Sequence, residues 1–404
     1  MKIALASIGS RGDIQPYIAL ALALKEAGHN CFLATLPWAK ELLESYGIEH
    51  RPVGTKVNLD KGVNDIIDQS DSNRKGFLSA LNFIFDTLRE CHDDFLELFK
   101  EADLVIGHGV TGLSEAEMLE KPYVMSSITP MGLPTLQAQT RSRILNFMID
   151  LPGKIMETTL GRPYNRFRKD IGAPPSNANS PGAHPHLAIL PVSSAIMQSR
   201  KNWKPHTEIV GYFFTDSPRD YELPPQIESF LSTEKKIVFI TFGSMLHSRA
   251  DRDRIFKLVS GATQAAGVKA ILLMSDLSKD NRNVPANMLL VDRIPYPYIL
   301  PKVSLVVHHF GFGTTAEVLK MGIPTIPVPH IFDQKIRAKD LYRKGLTSRP
   351  LNWKKLSADT LARAIHQALD NKDLKVKAEE IADHIRQEDG LRRAVDLIEE
   401  TFGK

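Results

Sequence analysis

Two cysteines in 404 residues, Cys31 and Cys91, are too few for a disulfide framework and show no metal-ligand spacing, which suits a reducing compartment. Long apolar runs are also missing. The longest clean one near the start, Tyr17 to Leu24, falls far short of a bilayer span and lacks signal-peptide flanks. Nor is there an excess of one charge: 51 basic against 47 acidic residues leave a net +4, which implies no nucleic-acid partner. Together these absences point to a cytoplasmic protein.

What is present is the composition of a globular chain, 43% apolar and 24% charged, long enough for two domains of roughly 200 residues, each with its own core. KIALASI reads as a strand and CFLAT as another. Between them PYIALALALKEA carries apolar residues at helical spacing, with Pro16 early and Gly28 just past its end, so the three form a βαβ unit. DLVIGH, PYVMSSI and HLAILPV continue the alternation. The stretch from Phe214 to Lys235, with three prolines and no sustained periodicity, reads as an interdomain linker.

After it the rhythm restarts: KIVFITFGS, VKAILLM, NMLLV, SLVVHH and PTIPVP are strand candidates. The expected fold is therefore α/β, with two doubly wound, Rossmann-like parallel-sheet domains over 1–214 and 236–385, joined by a linker at 215–235 and facing each other across a cleft. Ligands of such sheets bind beyond the carboxyl ends of the strands, so those junctions hold the candidate chemistry.

Three junctions stand out. SIGSRGDIQP follows the first strand, where Gly9 and Gly12 permit a special turn and Ser10, Arg11 and Asp13 offer side chains. It has neither the dinucleotide glycine spacing nor the Gly-Lys-Ser/Thr of a P-loop; the plain reading of Asp13 is a helix cap. TFGSM brings Ser244 to a second strand end. LVVHHFGFGTTAEVLKMGIPTIPVP brings His308 and His309 to a third, with Gly311 and Gly313 letting the backbone approach a ligand and Thr314 opening a helix that stops before Gly322. A helix start of this kind attracts an anion, and His309 and Thr314 can add hydrogen bonds. Thr314 and Glu317 also fit a capping box, with one histidine merely filling the core.

HHFGFGTTAEVLKMGIPTIPVPHIFDQ resembles the donor-binding signature of nucleotide-sugar-dependent glycosyltransferases with two Rossmann-like domains, the GT-B fold. GSRGDIQP resembles the opening loop of their sterol and natural-product branch, and VGYFF, TFGSM and RIPYPYILPKVSLVVHH follow in the order that branch uses. The resemblance implies a nucleotide diphosphate sugar, such as UDP-glucose, as co-substrate, with no other cofactor. His309, Thr314 and the backbone at Gly311 and Gly313 would hold the diphosphate, with Ser244 adding a contact. Glu317 would accept from the ribose, Asp333 and Gln334 would bind sugar hydroxyls, and Arg293 and Ile294 would hold the base. It also implies that a last helix, within 386–404, crosses back to the first domain. Phe310 departs from a usual glycine and Phe312 from a small residue or tryptophan, making the loop bulkier.

Helix-terminus donors can stabilise a departing diphosphate without a metal, and a single displacement inverts the anomeric centre. Asp13 is the candidate base; Ser10 and His108 are acceptor-site candidates. Asp251-Arg252-Asp253 fits an acidic metal motif but sits at a helix start, and His184 and His186 lack further ligands, so no metal site is expected. Residues 74–100 and 136–169 mix apolar side chains with bases, among them Arg141, Arg143, Lys154, Arg162, Arg166 and Arg168. They suit an apolar acceptor pocket, peripheral membrane contact, or an amphipathic core helix with a solvated face. A nucleotide-sugar epimerase and a catalytically silent partner protein of the same fold are the alternatives.

Overall fold

A computed structural model describes residues 1–58, 62, 73–128, 161–176, 185–199, 203, 206–215, 221–232, 235–243, 249–274 and 283–403. It divides into two compact units, one from Met1–Val63, Phe77–Thr215 and Glu388–Lys404, the other chiefly from Asp216–Gln387.

The first unit is built on β1 (Lys2–Ala6), β2 (Asn30–Thr35), β3 (Glu49–Pro52), β4 (Leu104–His108), β5 (Tyr123–Ser126), β6 (Leu187–Leu190) and β7 (Thr207–Ile209). They pair in parallel in the order β3-β2-β1-β4-β5-β6-β7. β1 and β4 are almost wholly buried, as continuous apolar runs in a doubly covered sheet should be. The edge strands β3 and β7, with sequences EHRP and TEI, are polar and partly exposed. They carry no apolar run, and for that reason the sequence pattern does not mark them.

The second unit holds β8 (Ile237–Thr241), β9 (Lys269–Leu273), β10 (Met288–Val291), β11 (Leu305–His308) and β12 (Thr325–Pro327), also parallel, in the order β10-β9-β8-β11-β12. Both sheets run outward in opposite directions from their first strand. The order therefore reverses between β1 and β4 in one and between β8 and β11 in the other. At such a reversal the connections leave to opposite faces and open a crevice at the carboxyl edge.

Three local features differ from the sequence pattern. The first helix runs Arg11–Glu26 and begins a turn before Pro16, because Ser10 and Asp13 cap it. Inside the expected linker, Pro225–Leu231 forms a short helix whose Ile227 is buried in the second unit's core. Arg168, one of the bases read as suiting an acceptor pocket, membrane contact or a solvated helix face, is only 2% exposed; its Nη1 lies 2.6 Å from Glu117 Oε2 and its Nε donates to Pro174 O. Arg162 and Arg166 are exposed, whereas Arg141, Arg143 and Lys154 lie outside the described residues. Among those residues no helix is long and apolar enough to cross a membrane.

The last helix, Gly390–Phe402, belongs to the first unit, where Ala394, Val395, Leu397 and Ile398 share a core with Ile18 and Leu20 of the first helix. Its entry depends on two glycines: Gly211, at φ +98°, lies so close to Gly390 that a side chain on Gly390 would meet Gly211 O at 2.5 Å. Ile398→Ala should lower unfolding stability by about 2–4 kcal/mol, a transfer-plus-cavity cost, read as a lower urea midpoint for the first unit.

Candidate active site

In the second unit β11 ends at His308, opposite Thr241 of β8 and Pro327 of β12. The next helix runs Phe312–Lys320, with Gly311 as its N-cap, and its first backbone bond is Thr315 N to Gly311 O at 3.0 Å. The helix thus starts two residues before Thr314, and the Thr-x-x-Glu capping box does not form. Gly311 is the cap and has no side chain; the Thr314 hydroxyl instead lies 3.2 Å from Tyr296 Oη. Amides of the first turn, through Thr314, precede that first bond and face outward along the helix axis.

His309 is buried beside this helix start. A Cβ on Gly311 would strike its Nε2, and one on Gly243, at φ +55°, would lie 2.6 Å from its Cε1. The ring is clasped between two glycines, and its buried Nδ1 has no hydrogen-bond partner among the described residues. Burial lowers its pKa to about 4, the positive charge of Arg337 adds to that, and the nearby Thr241 backbone opposes it. His308 is also held well below 6.5 by burial; its Nδ1 accepts from Phe310 N at 3.2 Å. Both imidazoles are therefore neutral at pH 7.

Between them and the helix, Phe310 adopts a left-handed backbone, φ +69°, a conformation costing a side-chain-bearing residue about 1–2 kcal/mol relative to glycine. Its ring is fully buried and stacks on His308 at 4.9 Å. The bulk expected in the loop therefore points inward at this position. Phe312, at the first helical position, lies beneath the Arg337 guanidinium, 5.4 Å from its ring centre.

The sugar-end candidates follow β12. Asp333 Oδ2 is 3.5 Å from Arg337 Nη2. Gln334 is buried, and its Oε1 accepts from His330 N at 2.9 Å and Ile331 N at 3.3 Å, capping the helix Phe332–Arg343. That oxygen is committed to the backbone. Glu317, one turn into its helix, has a carboxyl pushed by burial up to about 7, against the pull of Lys320. Arg293 is exposed and Ile294 buried in the loop after β10, and Tyr296, opening the short helix Tyr296–Ile299 that follows, reaches Thr314. Ser244 lies outside the described residues, as does His184; His186 Nδ1 accepts from Tyr123 N at 3.1 Å.

In the first unit the same edge brings together Ser10, Asp13 and His108. Asp13 sits in the first turn of its helix, and its Oδ2 accepts from Ser10 N at 2.8 Å and Ser10 Oγ at 2.9 Å. The capping reading of Asp13 thus holds, yet both bonds fall on one oxygen and Oδ1 takes neither. Gly9, at φ +136°, leaves room for that carboxylate, since a Cβ there would lie 2.5 Å from Oδ2. His108 closes β4; burial lowers its pKa while the Asp13 carboxylate pulls it up. Tyr17 packs 5.7 Å from the His108 ring and donates to Ser126 O, fixing the floor of this corner.

Sequence reasoning passed over Arg337, Tyr296, His330 and Tyr17. Arg337 stands four residues after Asp333, a spacing that favours an ion pair on a helix; Tyr296 carried no local signal. His330 has both ring nitrogens without a partner among the described residues and lies 4.0 Å from the Trp353 ring. Among those residues no three histidine, cysteine or acidic side chains gather as a metal site.

These are two parallel-sheet domains of the GT-B glycosyltransferase type. Residues 3–104 match the glycosyltransferase family 28 N-terminal domain, and residues 264–390 the erythromycin biosynthesis protein CIII-like C-terminal domain. The chain carries both of these domains, and it is an enzyme of the glycosyltransferase class. It is similar to the O-mycaminosyltylonolide 6-deoxyallosyltransferase of Streptomyces fradiae, 26% identical over 99% of this chain and 97% of that one. It is also similar to a sterol 3-beta-glucosyltransferase of Arabidopsis thaliana, 27% identical over 98% of this chain but only 64% of the relative. A glycosyltransferase of Streptomyces sp. SF2575, solved with thymidine diphosphate, superposes with a TM-score of 0.69 at 17% identity over 99% of both chains.

Gly311→Ala leaves a permitted backbone, φ −61°, so its harm should come from displacing His309. It should weaken nucleoside diphosphate binding at least about tenfold, while His309→Ala in the same protein should restore the melting temperature lost to the clash. For Glu317 the folded state holds the proton more tightly than the unfolded chain, since the carboxyl moves from 4.5 to about 7. Its contribution therefore makes stability fall as pH rises across that window. Glu317→Gln should flatten the slope in denaturant titrations between about pH 5 and about pH 8.

Proposed function

We propose that the protein is an inverting, metal-independent glycosyltransferase. It moves a hexose from a nucleoside diphosphate sugar, UDP-glucose first among them, to a hydroxyl of a hydrophobic acceptor such as a sterol, lipid or natural-product aglycone. The observation that carries the reading is the His309 ring clasped by Gly243 and Gly311 at the start of the helix Phe312–Lys320, with Nδ1 buried and unpartnered.

A diphosphate at that position would meet the amides of Gly313 and Thr314 and the imidazole. As the anomeric carbon–oxygen bond breaks, charge grows on the diphosphate where these fixed donors already point, so little reorganisation is needed. The anion also reverses the effect of burial on His309, favouring a proton on Nδ1. Binding should therefore take up protons, read as a dependence of the calorimetric heat on the buffer's ionisation enthalpy. Heats that are independent of buffer would remove the imidazole from this role.

In the first unit, Asp13 Oδ1 takes the acceptor's proton as its hydroxyl attacks from the face opposite the leaving diphosphate, while Ser10 keeps the carboxylate oriented. His108, beside it, orients the acceptor hydroxyl. The acceptor class is supported by the sterol and mycaminosyltylonolide in the relatives' names, and the thymidine diphosphate in the Streptomyces sp. structure makes thymidine the base to test beside uridine. A cytoplasmic site of action fits Cys31 and Cys91, both free and buried.

The deciding experiment incubates uridine and thymidine diphosphate sugars with sterol, lipid and phenolic acceptors and reads the products by mass spectrometry. Addition of one hexose, inverted at its anomeric carbon by NMR, is expected. Isomerised donor without transfer would replace this reading by an epimerase. Asp13→Asn, which keeps an oxygen for Ser10, should lower kcat by about 10²–10⁴ and leave the donor Kd unchanged.

A further inference from the structure

Two residues of the donor loop depart from the expected pattern, Phe310 and Phe312, and one side chain touches both. Arg337 Nη1 donates to Phe310 O at 2.9 Å, its guanidinium covers the Phe312 ring at 5.4 Å, and its Nη2 lies 3.5 Å from Asp333 Oδ2. The side chain is only 15% exposed. It projects from the helix Phe332–Arg343, the element that also carries Asp333 and Gln334.

We propose that Arg337 is a positioning residue that couples the two ends of the donor site, setting the diphosphate turn through Phe310 and the sugar carboxylate through Asp333. This deepens the donor-site reading above and rests on it. A glycine at position 310 would enter the left-handed region without strain. Phenylalanine needs holding there: its ring stacks on His308, its amide donates to His308 Nδ1, and its carbonyl accepts from Arg337. Release of that carbonyl lets the peptide unit between Phe310 and Gly311 rotate. Gly311 is the helix cap, so the rotation moves the first-turn amides away from a bound phosphate. On the opposite side of the guanidinium, Asp333 loses the partner that fixes its carboxylate. A planar fork with several donors can serve a carbonyl and a carboxylate at once, which a lysine ammonium cannot match in geometry. Within reach of the same imidazoles, Arg254 and Lys335 act on His330, but Arg254 is spent on Trp353 O and Leu356 O.

The test is calorimetry on the full chain with uridine monophosphate, uridine diphosphate and UDP-glucose, or the thymidine series if that is the series the wild type binds. It compares wild type, Arg337→Ala, Arg337→Lys, Asp333→Ala and the double variant Arg337→Ala/Asp333→Ala. Wild type should prefer diphosphate to monophosphate. Arg337→Ala should reduce that preference about tenfold and also reduce the gain from adding the sugar, while the monophosphate Kd changes less than about twofold. Asp333→Ala should reduce only the sugar's gain, and adding it to Arg337→Ala should reduce that gain no further. Lysine should restore less than half of either loss on a logarithmic scale.

Equal weakening of all three ligands, with a lowered melting temperature, would mean a purely structural role and overturn the proposal. So would additive losses in the double variant, or full recovery by lysine. A wild type with no preference for diphosphate would instead sink the donor-site reading itself.

Discussion

The imidazole of His309 lies against two glycines, and neither position admits even a methyl group without striking it. From that contact the rest of the second unit's carboxyl edge follows. For the ring to lie there, β8 must turn away at Gly243 and the helix after β11 must start at a residue lacking a side chain. Those are the two connections that diverge where the strand order reverses. The first-turn backbone amides and the imidazole are thereby held beside one another with their geometry fixed. The cost is burial, which strips the ring of its charge.

The first unit solves the same problem with the opposite charge. At its own reversal, between β1 and β4, Gly9 gives way to a carboxylate, and the helix start holds Asp13 by one oxygen. A helix N-terminus favours an anionic group of this kind, and the carboxylate takes the capping role there. Both capping bonds fall on one oxygen of that side chain.

Much of the fold could be read from the sequence, because the central strands are buried on both faces and are apolar throughout: KIALA, LVIGH, IVFIT and LVVH each announce themselves. The edge strands EHRP and TEI could not, since half their surface meets water and their side chains obey no alternation. At the donor loop the pattern identified His309, Gly311 and Gly313 as occupants of a strand-to-helix junction, yet misjudged where the helix begins. Gly311, with no side chain to cap, gives no local sign that it is the cap, whereas Thr314 and Glu317 imitate one. Gln334 shows the reverse failure. Its oxygen closes the helix start at His330 and Ile331, a bond that exists only once β12 has delivered that turn beside it. Arg168 was illegible for a similar reason: its partner Glu117 lies 51 positions away in a different helix.

Neutral imidazoles and a strained phenylalanine are together a poor site for an anion, unless charge and shape come from elsewhere. A left-handed Phe310 gives up on the order of 1–2 kcal/mol, and it persists because the surrounding packing over-determines it. Stacking on His308 accounts for the ring and the guanidinium for the carbonyl. The same guanidinium brings a fixed positive charge to the turn, where the imidazoles bring none. A glycine at 310 would make the turn easy to reach but also easy to leave. The phenylalanine version exchanges that freedom for a geometry enforced from a second helix, the one that bears Asp333 and Gln334.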